Sequence, residues 1–262
     1  MAIFASKRVH TAVVWRLRSD LADAREAIQH SNLTAEAKAD LLQQADALAA
    51  QIEKLPEELP ADFKTILPLN DLHAHIYALQ APVHKALGLP FLTAWQSNRW
   101  DPLGPTAVPP DNPKAPPSLR VQMMRNEIRG EAFNLTNSSP ARMTLDLQIT
   151  GLPGGDNPAY VSVREVPCTD TLERKPIADA LPEAQRIDGS YRITVLPGMT
   201  RQVWLNVNSL DLKAGKYTGK VTVSGSRMAG QITMPFTLQV YPFDFPARPG
   251  THPRGPPPST EN

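Results

Sequence analysis

The stretch GMTRQVWLNVNSLDLKAGKYTGKVTVS, Gly198 to Ser224, decides the fold. In its first half Val203, Leu205 and Val207 point one way and Gln202, Trp204 and Asn206 the other, the two-residue period of a strand with one buried face. Tyr217, Gly219, Val221 and Val223 repeat that period after the turn-prone Ala214-Gly215. Turn signals about every 8 to 12 residues on both sides extend the pattern into a two-sheet sandwich.

Upstream, LRVQMMRNEIRGEAFNLTN begins at Leu119, with Val121 and Met123 on one face and a turn at Asn126-Glu127. ARMTLDLQIT alternates cleanly, with Met143, Leu145, Leu147 and Ile149 inward. YVSVREV and YRITV are further strands, and the polar, proline-bearing segment from Thr169 to Gly189 reads as a long excursion between them. Downstream, ITMPFTLQVY closes a set of about eight strands, and Pro235 inside it calls for an edge position or a bulge. From Pro242 the text turns to PFDFPARPGTHPRGPPPSTEN, whose end has the composition of a disordered tail.

Before the sandwich the period changes. Val14, Leu17, Leu21, Ala24 and Ile28 form one stripe of a helix, and Leu41, Ala45, Leu48, Ile52 and Leu55 form the stripe of a second. Thr34 is placed to cap the second helix, and the short link makes the two an antiparallel hairpin. Asn70 is placed to cap a third helix striped by Leu72, Ile76, Leu79 and Val83, which Pro82 should kink or end early. The expected fold is mainly β with an α-helical N-terminal region, in which a helical hairpin and a third helix precede an Ig-like antiparallel β-sandwich. The expected divisions are a helical region over 1–88, a Trp-containing junction and proline-rich linker over 89–118, the sandwich over 119–246 and the tail over 247–262.

Composition excludes several functions. Lys+Arg 27 against Asp+Glu 26 leaves a net charge of +1, so no global field draws in nucleic acid or an anionic membrane. A single cysteine, Cys168, excludes an internal disulfide and a zinc site of several thiolates, and it reads as a small, half-buried strand residue. His73 and His75 diverge on a helix and fail as a metal pair, which leaves them as surface or interface residues. No cofactor motif, phosphate loop or nucleophile elbow is present. The N-terminus MAIFASKRVHTAVVWRLR has no apolar run of signal-peptide length, and taken at face value the chain is cytoplasmic.

The most unusual local string is LPFLTAWQSNRWDPL, Leu89 to Leu103. Trp95, Gln96, Asn98, Arg99, Trp100 and Asp101 interleave aromatic rings with planar hydrogen-bonding groups, the residue types with which proteins stack on sugar rings and read their hydroxyls. The competing reading has the tryptophans plugging the junction between helices and sandwich, with Arg99 and Asp101 paired across the turn. Glycosidic hydrolysis needs two carboxyl groups across a cleft. Glu127 and Glu131 are the candidate pair, and salt bridges to neighbouring arginines are the expected use of both.

The strings WQSNRWDPL, MMRNEIRGEAFNLTN, GLPGG, PGMTRQVWLNVNSLDLKAGKYTGKVTV and FTLQVYPFDFP together resemble the N-terminal part of a family of large bacterial glycoside-hydrolase-like proteins. In that family an Ig-like sandwich, similar to the one in β-N-acetylgalactosaminidases, precedes a TIM barrel. The resemblance covers most of residues 89 to 246, and it implies that catalysis belongs to the barrel, which this chain does not contain. No catalytic residue is therefore assigned here. The leading expectation is a non-catalytic accessory module that packs against such a barrel or self-associates. A carbohydrate-binding module acting through Trp95 and Trp100 comes second, and an independent glycosidase third.

Overall fold

The structure is a computed structural model that describes residues 2–171, 175–178, 181–226, 228 and 230–246, with side chains from residue 7 onward. The expected tail over 247–262 lies outside the described residues. Among the described residues four helices come first: α1 (Ala2–His30), α2 (Ala35–Ile52), α3 (Asp71–Ala78) and α4 (Gln80–Ala86). Twelve strands follow: β1 (Leu92–Trp95), β2 (Leu119–Arg125), β3 (Ile128–Asn137), β4 (Met143–Thr150), β5 (Val161–Val166), β6 (Cys168–Thr169), β7 (Ile177–Ala178), β8 (Gln185–Ile187), β9 (Ser190–Val195), β10 (Thr200–Asn208), β11 (Gly215–Ser224) and β12 (Ile232–Asp244). The chain is thus mainly β with an N-terminal helical region. Among the described residues no helix is long and apolar enough to cross a membrane.

The helical stripes bury as their spacing requires. Leu17, Leu21, Ala24 and Ile28 of α1 meet Leu41, Ala45, Leu48 and Ile52 of α2, with Ile76, Leu79 and Val83 closing the same core. Thr34 Oγ1 accepts from the backbone N–H of Ala37, and Asn70 Oδ1 accepts from that of His73, so both caps form where the sequence puts them. Arg18 pairs with Glu53 at 2.7 Å and Arg25 with Asp46 at 2.6 Å, which fixes the antiparallel register of α1 and α2. The third helix ends at Ala78, and Pro82 falls in the first turn of α4, where a missing N–H removes no helical bond.

Two sheets enclose the main core. The four-stranded sheet runs β1-β3-β10-β5, and the six-stranded sheet runs β2-β12-β11-β4-β9-β8. Phe133, Val203 and Leu205 from the first face Leu147, Val221 and Phe236 from the second in one buried cluster. The antiparallel expectation needs one correction, because β12 pairs with β2 in parallel, from Phe236↔Leu119 onward. Pro235 precedes that first pair, so it lies where β2 has not yet begun to bond. The excursion between β5 and β9 holds the small ladder of β6 and β7, followed by β8.

The helical region is fastened to the sandwich at several points. Leu67 N–H donates to Cys168 O at 2.8 Å, and Asp170 N–H donates to Thr65 O at 3.0 Å. Gly198, at φ 69°, lies so close to Tyr77 that a Cβ there would be driven into the Tyr77 carbonyl oxygen.

Candidate functional site

The candidate site lies on the outer face of the four-stranded sheet. Strand alternation that sends Val203 and Leu205 into the core sends Thr200, Gln202 and Trp204 outward, opposite Thr136, Asn134 and Ala132 of β3. Residues 96–107 cross over this face. Their closeness to it is set by Thr200, whose N–H donates to Pro105 O at 2.7 Å and whose Oγ1 donates to Ala107 O at 2.5 Å.

A polar chain runs beneath the crossing. Trp204 Nε1–H donates to Gln202 Oε1 at 2.8 Å, Gln202 Nε2 donates to Asn134 Oδ1 at 3.2 Å, and Asn134 Nδ2 donates to Ser97 Oγ at 3.0 Å. The result is a Trp204 indole held at its polar edge. Its ring lies over Gly130, where a Cβ would come within 2.9 Å of the six-membered ring. Trp100 then meets Trp204 edge to face, with ring centroids 5.3 Å apart and planes at 71°. Beside this pair is a cleft of about 660 Å³. Trp100, Gln202 and Trp204 line it together with Val166, the cross-strand neighbour of Gln202 on β5, and Cys168 and Ile177 of the β6–β7 ladder.

The six sequence candidates separate. Trp95 is buried on β1, its Nε1–H donating to Thr136 Oγ1 at 2.8 Å, so it presents no ring to a ligand. Gln96 is exposed, but its amide is engaged by the sheet, donating to Glu131 Oε1 and to Ala132 O, each at 3.1 Å. Asn98 shapes the turn by accepting the Trp100 N–H at 3.1 Å. Arg99 pairs with Glu131 at 3.2 Å rather than with Asp101, which corrects the expected pair across the turn. Trp100, 74% exposed, and Asp101, also exposed, stand with Arg99 on the rim of the cleft. Trp204 was the missing partner, and its signal was a large aromatic residue on the outward face of an alternating strand.

The carboxylate candidates for hydrolysis are occupied by fixed donors. Glu127 accepts from Arg129 Nε at 2.6 Å and from Met124 N–H at 2.7 Å, and Glu131 accepts from Gln96, Arg99 and the Ala132 N–H. Burial pushes the Cys168 thiol up, with Arg201 and Arg16 opposing, which keeps it protonated at neutral pH. Among the described residues no group of three or more His, Cys, Asp or Glu side chains is arranged to hold a metal ion.

One buried cluster escapes the sequence reading. Asp20 Oδ2 accepts from Arg16 Nε at 2.8 Å, from His73 Nε2 at 2.7 Å and from Tyr77 Oη at 2.9 Å. His73 is therefore fully buried rather than at the surface or an interface. Its Nδ1 accepts the Leu69 N–H at 3.2 Å, which places a proton on Nε2 facing Asp20. Burial alone would raise the Asp20 pKa, but hydrogen bonds from His73 and Arg16 outweigh it and hold the carboxyl below its ordinary value. With every member satisfied, the cluster acts as an internal clamp among α1, α3 and the excursion.

No protein-family model and no curated protein matches the chain. Among solved structures it is similar to a family 123 glycoside hydrolase from Clostridium perfringens, at 15% identity and a TM-score of 0.36, over 50% of this chain and 24% of that one. It is also similar to the CooA pilin subunit of enterotoxigenic Escherichia coli, at 11% identity and a TM-score of 0.29, over 59% of this chain and 100% of that one. A PapD-like domain of human CEP192 matches at 10% identity and a TM-score of 0.26, over 49% of this chain and 84% of that one. The chain spans about a quarter of the length of the glycoside hydrolase, and at these scores the likenesses carry no argument about activity.

Proposed function

We propose that this chain is a non-catalytic accessory module of a glycoside-hydrolase-like protein, and that it packs one end of its sandwich against a catalytic barrel. The observation that carries the reading is a group of exposed apolar side chains at that end. Ile128 is 68% exposed, Leu210 64%, Phe243 64% and Phe245 45%. Pairing gathers them: Ile128 lies opposite Asn208, Ser209 N–H donates to Glu127 O, and Phe245 N–H donates to Arg125 O. A monomer gains nothing from exposing such a group, whereas an interface does.

Two further facts support a barrel as the occupant. The string FTLQVYPFDFP, which in the resembled family leads into the barrel, brings Phe243 of β12 and Phe245 to this end. The sequence strings that resemble the glycoside-hydrolase-like family imply the same order of domains. Internal occupation of Glu127 and Glu131 fits a module without an acid and base pair of its own.

A dye that fluoresces on apolar surfaces tests this reading. The chain should bind it, and the triple variant Ile128→Ser, Leu210→Ser, Phe243→Ser should lose most of the signal while keeping its circular dichroism. No dye binding by the unaltered chain, or an undiminished signal in the variant, would count against the proposal.

A further inference from the structure

We propose that the cleft beside Trp100 is a binding site for neutral oligosaccharides, gripped in the corner formed by Trp100 and Trp204. An indole ring exposed on 74% of its residue surface is poorly solvated and contributes nothing to the core, yet this one is held in a fixed pose. Its edge-to-face contact with Trp204 supplies one constraint, and Arg99, with its guanidinium carbon 5.9 Å from the ring centroid, supplies another. Two aromatic planes at 71° make a right-angled apolar corner, which suits the C–H face of a pyranose against one wall and its rim against the other.

Hydrogen-bonding capacity remains beside that corner. Gln202 uses one amide N–H on Asn134 and one lone pair on Trp204, which leaves one of each. Arg99 uses a single N–H on Glu131, and the Asp101 carboxylate stands next to it on the rim. Donors and acceptors of both kinds near an aromatic platform match hydroxyl groups. Charge selects the class: among the described residues around the cleft, Arg99 and Lys175 stand against Asp101 and Glu131, the partner of Arg99, so the formal charges there cancel and favour a neutral ligand. A volume of about 660 Å³ falls in the range of small-molecule sites.

The strand β6 that lines the cleft is tied to the helical region. Cys168 O accepts from Leu67, the Asp170 backbone N–H bonds Thr65 and the Asp170 carboxylate bonds Arg16. Ile177 joins the lining through its pairing with Thr169 of that strand.

Calorimetric titration of the full chain with cellopentaose, maltopentaose, xylopentaose, mannopentaose, chitopentaose and a heparin-derived oligosaccharide tests the proposal. At least one neutral oligosaccharide should bind with Kd on the order of 1 mM or tighter. Trp100→Ala should weaken it at least about tenfold, with an unchanged melting temperature because Trp100 is exposed. Phe243→Ser, at the far apolar end, should bind as the unaltered chain does. No binding of any neutral probe at about 10 mM, undiminished binding by Trp100→Ala, or binding of the anionic probe alone would overturn the site. None of these outcomes bears on the barrel-packing surface, which the dye measurement decides separately.

Discussion

The guanidinium of Arg16 on α1 is hydrogen-bonded to the carboxylate of Asp170, a residue 154 positions later in the excursion that leaves the sandwich. The same guanidinium bonds Asp20, and both Arg16 and Asp20 are buried. Two carboxylates thus share one buried cation at the seam between the helical region and the sandwich. Removing the cation takes the positive charge from both, although Asp20 keeps the hydrogen bonds from His73 and Tyr77 and Asp170 keeps that from the Thr171 N–H.

Arg16→Ala should therefore destabilise the chain by about 3 kcal/mol, the cost of breaking a buried ion pair by removing one partner. Asp170→Asn, at a more exposed position, should cost about 1 kcal/mol. Urea unfolding followed by circular dichroism gives both values, and equal losses for the two variants would contradict the shared-cation account.

His84 makes stability depend on pH in a separate window. Burial pushes its imidazole down to about 4 despite a backbone hydrogen bond at Thr106 that opposes the shift. Above the ordinary histidine value of about 6.5 both folded and unfolded forms are neutral, and the group has no pH effect. Between 6.5 and 4 the unfolded chain takes up a proton that the folded chain refuses, so stability falls as pH falls, by about 3 kcal/mol over the window. His84→Leu should flatten this slope in urea titrations at a series of pH values, and an unchanged slope would refute the assignment. Asp20, with its depressed pKa, adds a loss only at still lower pH, as its carboxyl protonates.

Gly198→Ala should be among the most damaging single changes. It combines φ 69° with a Cβ directed at the Tyr77 carbonyl, so the helical region must shift or the turn must distort. A loss of about 3 kcal/mol or more is expected in thermal or urea unfolding. Gly130→Ala is the milder case, since it meets the Trp204 ring rather than backbone. It should cost about 1 kcal/mol and displace Trp204, visible as a change in tryptophan fluorescence.

Alternation and helical stripes carried most of the fold. The inward sets of β4 and β10, the hairpin of α1 and α2, and the caps at Thr34 and Asn70 all follow from local period and residue type. The parallel pairing of β2 with β12 was not legible, because a two-residue period states which face is buried and not the direction of the neighbour. The Asp20 cluster was hidden for a different reason. Its members lie 53 and 57 positions apart on helices whose polar residues look like solvent-facing ones until the packing is known. At the candidate site, Trp100 of the string from Trp95 to Asp101 stands on the rim of the cleft, but nothing local could tell that Trp95 is buried against Thr136 and that Trp204 pairs with Trp100.

Sedimentation velocity of the chain at rising concentration tests most directly whether the sandwich end is built to be covered. The account predicts reversible self-association at tens of micromolar, abolished by Ile128→Glu with Phe243→Glu. A strictly monomeric chain across that range, indistinguishable from the variant, would contradict it.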